Sequence, residues 1–119
     1  IRPCREGEAI AAAGGLMLGG ARPIVVLQCT GLFEAGDALR NIVHDLKLPL
    51  VLIVGVRSHA AFQAGRSSDN CPAFTIPILD AWKIPHVLID PEKASANDLV
   101  AAVRKFQLSG VAGAILIAE

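Results

Sequence analysis

The sequence predicts an α/β domain in which a mainly parallel sheet lies between two layers of helices, a three-layer αβα sandwich. Two patterns alternate along the 119 residues: short aliphatic runs rich in Val, Ile and Leu, and longer segments with apolar residues every three or four positions. Runs that are apolar at consecutive positions are typical of parallel strands buried on both faces. Because the two patterns alternate, we expect right-handed crossovers and a single domain over residues 1–119.

Four helices and four strands are predicted. The helices are residues 6–18, 32–46, 74–82 and 95–108, and the strands are residues 24–29, 50–56, 86–89 and 114–118. Ser95 and Asp98 have the spacing of a helix-capping pair, and Pro77 is tolerated near the start of the third helix. Residues 58–71 form the one long irregular loop, and loops of that length are usually functional or mobile.

The first helix begins within about six residues, whereas a doubly wound domain normally opens with a strand. We therefore expect residues 1–4 to be the end of a strand whose first β–α unit is missing. Gly14 and Gly15 lie inside this helix and permit close packing, while Gly19 and Gly20 after it predict a C-terminal cap. No glycine pattern typical of a nucleotide-phosphate loop is present, so phosphate binding by this chain alone is not predicted.

Composition argues against several classes of protein. The chain carries 11 basic and 11 acidic residues, so it has no excess cation for nucleic acid. Its longest apolar stretch, residues 48–56, is far shorter than the roughly 20 residues of a membrane span. Cys4, Cys29 and Cys71 are widely spaced and form no metal or redox motif, which favours a reducing, cytoplasmic setting. With 53% hydrophobic and only 18% charged residues, we expect another chain to cover part of the surface.

Ligands of open parallel sheets bind beyond the carboxyl ends of the strands, which here are followed by residues 29–36, 57–71 and 90–94. The start of the first helix lies at the same edge if residues 1–4 end a strand. There, Glu6 and Glu8 either favour the helix dipole or include a fixed carboxylate that holds a proton. Both interpretations remain open from the residues alone.

Two of these segments contain further candidates. Thr30 is a natural helix N-cap, and Gly31 allows a ligand to approach the backbone. Arg57 is a suitable partner for a carboxylate, sulfonate or phosphonate, and His59 follows it closely. Ser58, His59 and Asp69 do not form a credible catalytic triad, because no nucleophile elbow accompanies them.

An ordered set of motifs over nearly the whole chain carries a family resemblance. The motifs are Arg5-Glu6-Gly7-Glu8-Ala9, Gly19-Gly20-Ala21-Arg22-Pro23, Gln28-Cys29-Thr30-Gly31-Leu32, Leu48-Pro49-Leu50, Ile76-Pro77-Ile78-Leu79-Asp80-Ala81-Trp82 and Ile84-Pro85. Together they resemble the pyrimidine-binding domain of thiamine diphosphate-dependent decarboxylases, in particular the sulfopyruvate and phosphonopyruvate decarboxylases. In sulfopyruvate decarboxylase this domain is a separate alpha subunit.

The resemblance implies a thiamine diphosphate-binding fold and a role for each matched residue. Glu6 is the catalytic glutamate that hydrogen-bonds the aminopyrimidine ring of the cofactor and favours its imino tautomer, and Glu8 supports it. The residues expected to contact the cofactor are Glu6, Gln28, Thr30, Gly31, Leu32 and Phe33. Arg57 and His59 are placed, by position only, opposite the acidic groups of a 2-oxo acid, whose decarboxylation the cofactor carries.

The resemblance also implies a partner. The diphosphate and Mg²⁺ are held by a second domain or subunit, and this chain matches no metal motif, so a carbon–carbon lyase is expected only in a homo- or hetero-oligomer. Residues 33–37 differ from common members of the family, which leaves substrate identity open. Two alternatives remain: a non-catalytic regulatory or structural relative with the same fold, and a generic Rossmann-like binder of small molecules.

Overall fold

Four parallel strands form one sheet in the order β1-β2-β4-β3, in a computed structural model that describes residues 1–119. The strands are β1 (Ile24–Gln28), β2 (Val51–Val56), β3 (His86–Ile89) and β4 (Gly113–Ala118). The helices are α1 (Glu6–Leu18), α2 (Cys29–Glu34), α3 (Gly36–Arg40), α4 (His59–Gln63), α5 (Cys71–Ala81) and α6 (Ala96–Ser109), with a π-helical turn at Asn41–Asp45. The α/β class and the parallel sheet are confirmed.

The core has two unequal parts because successive strand side chains point to opposite faces of the sheet. On one face, a cluster of 17 buried residues joins β1, β2 and β4 to α1, α2, α3, α5 and the π-helical turn. On the other face, Phe106 of α6 packs with Val51 and Ile115. Helices therefore flank the sheet on both sides, an arrangement compatible with a three-layer sandwich.

Burial of every strand on both faces was predicted, and this is wrong for β1 and β3. Val26 in β1 is 71% exposed and Ile24 is 39% exposed, while Val87 and Leu88 in β3 are about as exposed as Ile24. Both are edge strands, and α6, the helix of the smaller cluster, packs against β2 and β4. Only the central part of the sheet is covered on both sides.

The single helix predicted over residues 32–46 is instead three short segments. It starts earlier, at Cys29, so Thr30 lies inside the first turn of α2 and is not its N-cap. The π-helical turn closes with a 2.9 Å hydrogen bond from Leu46 N–H to the Asn41 carbonyl. This wider turn brings Ile42 against Gly14 of α1, where a Cβ atom would clash with its side chain. Tertiary packing here overrides the regular apolar period.

Three other predictions need correction. Residues 1–4 belong to no strand, and the predicted irregular loop contains α4. Helix α5 starts at Cys71, where the Asp69 carboxylate accepts the Cys71 N–H at 3.0 Å, so Pro77 lies in the helix interior.

Other local predictions are confirmed. Helix α1 has the predicted bounds, Gly20 after it has a φ of +88°, and Ser95 and Asp98 form the capping box of α6. None of the helices combines the length and apolarity needed to cross a membrane.

Candidate functional site

The side chain of Glu6 lies directly over Gly31. Glu6 is the first residue of α1 and is half-buried, and Gly31 is buried in the first turn of α2. The Cδ and Oε1 atoms of Glu6 are each 2.7 Å from the position that a Cβ atom on Gly31 would occupy. Only glycine leaves room for this carboxylate, so two residues predicted to contact one ring are neighbours.

The Glu6 carboxylate accepts no hydrogen bond from the protein, unlike the two other carboxylates beside it. Glu8 accepts the Cys4 N–H at 3.1 Å. Glu34 accepts the Gly7 N–H at 3.0 Å and the Arg5 guanidinium at 2.7 Å. Of these three acids, Glu6 is therefore the one whose oxygens remain free for a ligand.

Glu34 fastens the start of α1 to the end of α2. Its pKa is lowered from the ordinary value, first by the hydrogen bond from Gly7 N–H and then by the hydrogen bond from Arg5. From the sequence, Glu34 was only one of the residues 33–37 that differ from the family pattern, and this role was not predicted. Nothing local in the sequence identifies it, because Arg5 and Glu34 are brought together by the packing of α1 on α2.

The other predicted cofactor contacts differ in accessibility. Gln28 and Thr30 are exposed at the junction of β1 and α2, and Phe33 is half-buried against the larger core cluster. Leu32 is only 1% exposed, so its side chain belongs to the core. A small cleft of about 150 Å³ lies beside Glu6, and its lining includes Ala9 and Leu27.

Arg57 forms its contacts within the protein. Its Nε atom donates to Asp69 at 2.8 Å, and its Nη2 atom lies 3.5 Å from the Cys71 sulphur. The pKa of Asp69 falls to about 2, chiefly because its carboxylate accepts the backbone N–H of Cys71 and then through side-chain hydrogen bonds and the Arg57 charge. Asp69 was not predicted as the partner of Arg57.

His59 lines a different and larger cleft, of about 530 Å³, at the ends of β2, β3 and β4. This cleft is also lined by Gln63, Asp90, Lys93 and Glu119. Most of its lining residues are polar, and Lys93 is paired with Asp90 at 2.8 Å. Glu6 and His59 therefore line separate clefts.

The backbone just before His59, beside the larger cleft, has an unusual conformation. Ser58 has a φ of +59°, a left-handed conformation that is uncommon for a residue other than glycine. The turn it forms directs the chain from β2 into α4, and the His59 N–H donates to the Glu119 carbonyl at 2.7 Å. The turn is thereby joined to the end of β4.

No group of three or more His, Cys, Asp or Glu side chains is arranged to hold a metal ion. Among known proteins, neither a family model nor a curated sequence matches this chain.

Proposed function

We propose that this chain is the pyrimidine-binding domain or alpha subunit of a thiamine diphosphate-dependent 2-oxo acid decarboxylase of the sulfopyruvate or phosphonopyruvate type. One observation carries the proposal: the Glu6 carboxylate rests on Gly31 and accepts no hydrogen bond from the protein. The sequence resemblance assigns these same two residues to the aminopyrimidine ring of the cofactor.

The surroundings of Glu6 fit a flat aminopyrimidine. Gly31 has no side chain, so the Glu6 carboxylate can lie directly over it. Ala9 and Leu27 give the cleft apolar walls. A proton shared between the Glu6 carboxyl group and a ring nitrogen makes a stronger hydrogen bond in such a cleft than it would in water.

Each residue then has a distinct task. Thiamine diphosphate supplies the electron sink for loss of carbon dioxide from the 2-oxo acid when it is bound. Glu6 binds a ring nitrogen and holds or passes a proton at its carboxylate oxygen. Arg5 and Glu34 position the start of α1, so that the Glu6 carboxylate remains over Gly31. Gln28, Thr30 and Phe33 would contact the ring, and Leu32 would contribute through its backbone.

The proposal assigns the diphosphate and Mg²⁺ to a partner domain or subunit within a cytoplasmic oligomer. The uncovered face of β1, where Val26 is exposed, supports a further layer of protein there. The chain by itself is expected to bind the pyrimidine weakly and to catalyse nothing.

The decisive experiment measures decarboxylation by this chain together with its diphosphate-binding partner, on a panel of 2-oxo acids that includes sulfopyruvate and phosphonopyruvate. Glu6→Gln keeps the shape of the side chain and removes its ability to exchange a proton, so turnover should fall at least about 100-fold. Glu8→Gln is the graded comparison: because Glu8 is only the supporting residue, turnover should fall far less than in Glu6→Gln. Equal turnover in wild type and Glu6→Gln would rule out the assigned role.

The larger cleft at His59 favours a second candidate function, the binding of another small molecule. Titration of the isolated chain with thiamine, followed by NMR, separates the two candidates. The amide of Gly31 should shift under the first proposal and stay unshifted under the second. A non-catalytic relative would show the Gly31 shift but no turnover with any partner.

A further inference from the structure

Two cysteines that are distant in the sequence are neighbours in the fold. Cys29 is fully buried at the start of α2, and Cys71 is half-buried at the start of α5. The two helices pack against each other, and Cys71 packs on the cluster that contains Cys29. Cys29 is also among the neighbours that raise the pKa of the Cys71 thiol, as expected for two thiols that are close in space. Cys4 is exposed and lies outside this pair.

The two sulphurs differ in access to solvent and in charge environment. Cys71 lies next to Arg57, whose guanidinium Nη2 is 3.5 Å from its sulphur and favours the thiolate. Burial and the neighbouring Asp69 and Cys29 act in the other direction and raise the pKa of Cys71. Cys71 is thus the sulphur that an external reagent reaches first, and it reacts slowly at neutral pH. Cys29, with no exposure, is reached only from Cys71.

We propose that Cys29 and Cys71 form a reversible disulfide in exchange with a small disulfide such as oxidised glutathione. The Cys71 thiolate attacks one sulphur of glutathione disulfide, forms a mixed disulfide and releases one glutathione thiolate. The Cys29 thiolate then attacks the Cys71 sulphur and releases the second. Two protein thiols are oxidised to one disulfide, one glutathione disulfide is reduced to two thiols, and the two protons pass from the protein to glutathione.

This bond would tie the start of α2 to the start of α5. Cys29 precedes Thr30 and Gly31 directly, so the link fixes the backbone on which Glu6 rests. It also restrains the chain around Asp69, where Arg57 is held. The inference rests on the cysteine pair alone and does not depend on the proposed function.

The test uses the full chain, equilibrated with oxidised and reduced glutathione and then digested with trypsin under non-reducing conditions. The sequence is well suited to this, because Cys4, Cys29 and Cys71 fall in separate tryptic peptides, residues 1–5, 6–40 and 67–83. We expect peptides 6–40 and 67–83 to be joined, with the loss of two hydrogens and no change in oligomeric state. Dithiothreitol should reverse the link, and the oxidised chain should have a higher Tm.

Three variants make the result decisive. Cys4→Ser should form the same link, and Cys71→Ser should form none. Cys29→Ala should stop at the first step, with glutathione retained on Cys71, which keeps the test valid if Cys71→Ser folds poorly. Stable glutathione on Cys71 of the wild-type chain, or reaction of Cys4 alone to give linked dimers, would overturn the proposal.

Discussion

Two glycines at the carboxyl edge of the sheet each lie under a glutamate, but the two glutamates are held differently. Gly31 follows β1 and is covered by Glu6, whose whole side chain from Cγ outward is close. Gly55 lies near the end of β2 and is covered by the carboxylate of Glu119, whose Cδ atom is 3.0 Å from the position of a Cβ atom. Glu6 is half-buried at the start of an anchored helix, whereas Glu119 is exposed.

A short distance between a glutamate and a glycine does not by itself mean that the glutamate is held in place. At the β1 end, the glutamate belongs to α1, which Glu34 fastens through Gly7 and Arg5. At the β2 end, the glutamate faces a wide polar cleft into which its side chain can turn. The position of a side chain is therefore constrained by the element that carries it. The following substitutions test whether Glu6 is held more firmly over Gly31 than Glu119 is over Gly55.

The largest loss of unfolding free energy is expected for Gly31→Ala. The new methyl group would meet Glu6, and overpacking of this kind costs about 1–3 kcal/mol. That cost exceeds the gain in helix propensity of up to about 1 kcal/mol for replacing glycine by alanine. Urea unfolding should show a less stable protein, and NMR titration should show loss of thiamine binding.

Two variants separate the clash from the helix propensity. In a Glu6→Ala background the clash is gone, so Gly31→Ala should stabilise the protein by up to about 1 kcal/mol. Gly15→Ala in α1 should do the same in the wild type, because no atom lies within 4 Å of the added position. Stabilisation by Gly31→Ala in both backgrounds would show that Glu6 leaves room for a methyl group on residue 31.

The next effect is expected for Glu34→Gln, which removes the anionic partner of Arg5 and Gly7. The start of α1 should loosen, because hydrogen bonds to charged groups are stronger than neutral ones, and exchange of the Gly7 amide hydrogen should accelerate about tenfold. Glu8→Gln is the control, since Glu8 bonds to Cys4 before the helix. Unchanged exchange at Gly7 in Glu34→Gln would mean that α1 is held by apolar packing alone.

At the β2 end, acid should release the contact between Arg57 and Asp69. The folded pKa of Asp69 is lowered from 3.8 to about 2, so its contribution to stability is complete above its ordinary pKa and is lost as the pH falls towards 2. Asp69→Asn should therefore lower the Tm at neutral pH, and the difference from wild type should vanish near pH 2. A Tm difference that persists in acid would assign the effect to something other than this carboxylate.

The smallest effect is expected for Gly55→Ala. The flexible, exposed Glu119 side chain can move aside, so the change in unfolding free energy should stay below about 1 kcal/mol. Urea unfolding beside Gly31→Ala makes the comparison direct. A loss as large as that of Gly31→Ala would show that the β2 end is as constrained as the β1 end.

Much of the fold was predictable because local signals and tertiary packing agree there. The bounds of α1 follow from its apolar spacing and glycine cap, and the spacing of Ser95 and Asp98 predicts the capping box of α6. Strand positions were correct to within one residue at either end, because unbroken aliphatic runs leave few alternatives.

The remainder depends on contacts between distant residues. The apolar period of residues 32–46 continues without change through the break in the helix, where Ile42 packs on Gly14. The sequence resemblance assigned Glu6 and Gly31 to one site. It did not predict the hydrogen bond of Glu34 with Gly7 or the pairing of Arg57 with Asp69. Those links join separate elements, and no local pattern encodes them.

The π-helical turn at Asn41–Asp45 also determines how this chain can change length. Such a turn accommodates one residue more than an α-helix would, so deleting a residue there would close it into a regular α-helical turn. A further insertion would instead turn the following chain by about 100°, and the contact of Ile42 with Gly14 and the burial of Leu50 before β2 would then no longer be compatible. Insertions between α3 and β2 should consequently be tolerated less well than deletions, and exposed positions such as His44 remain free to vary in side chain.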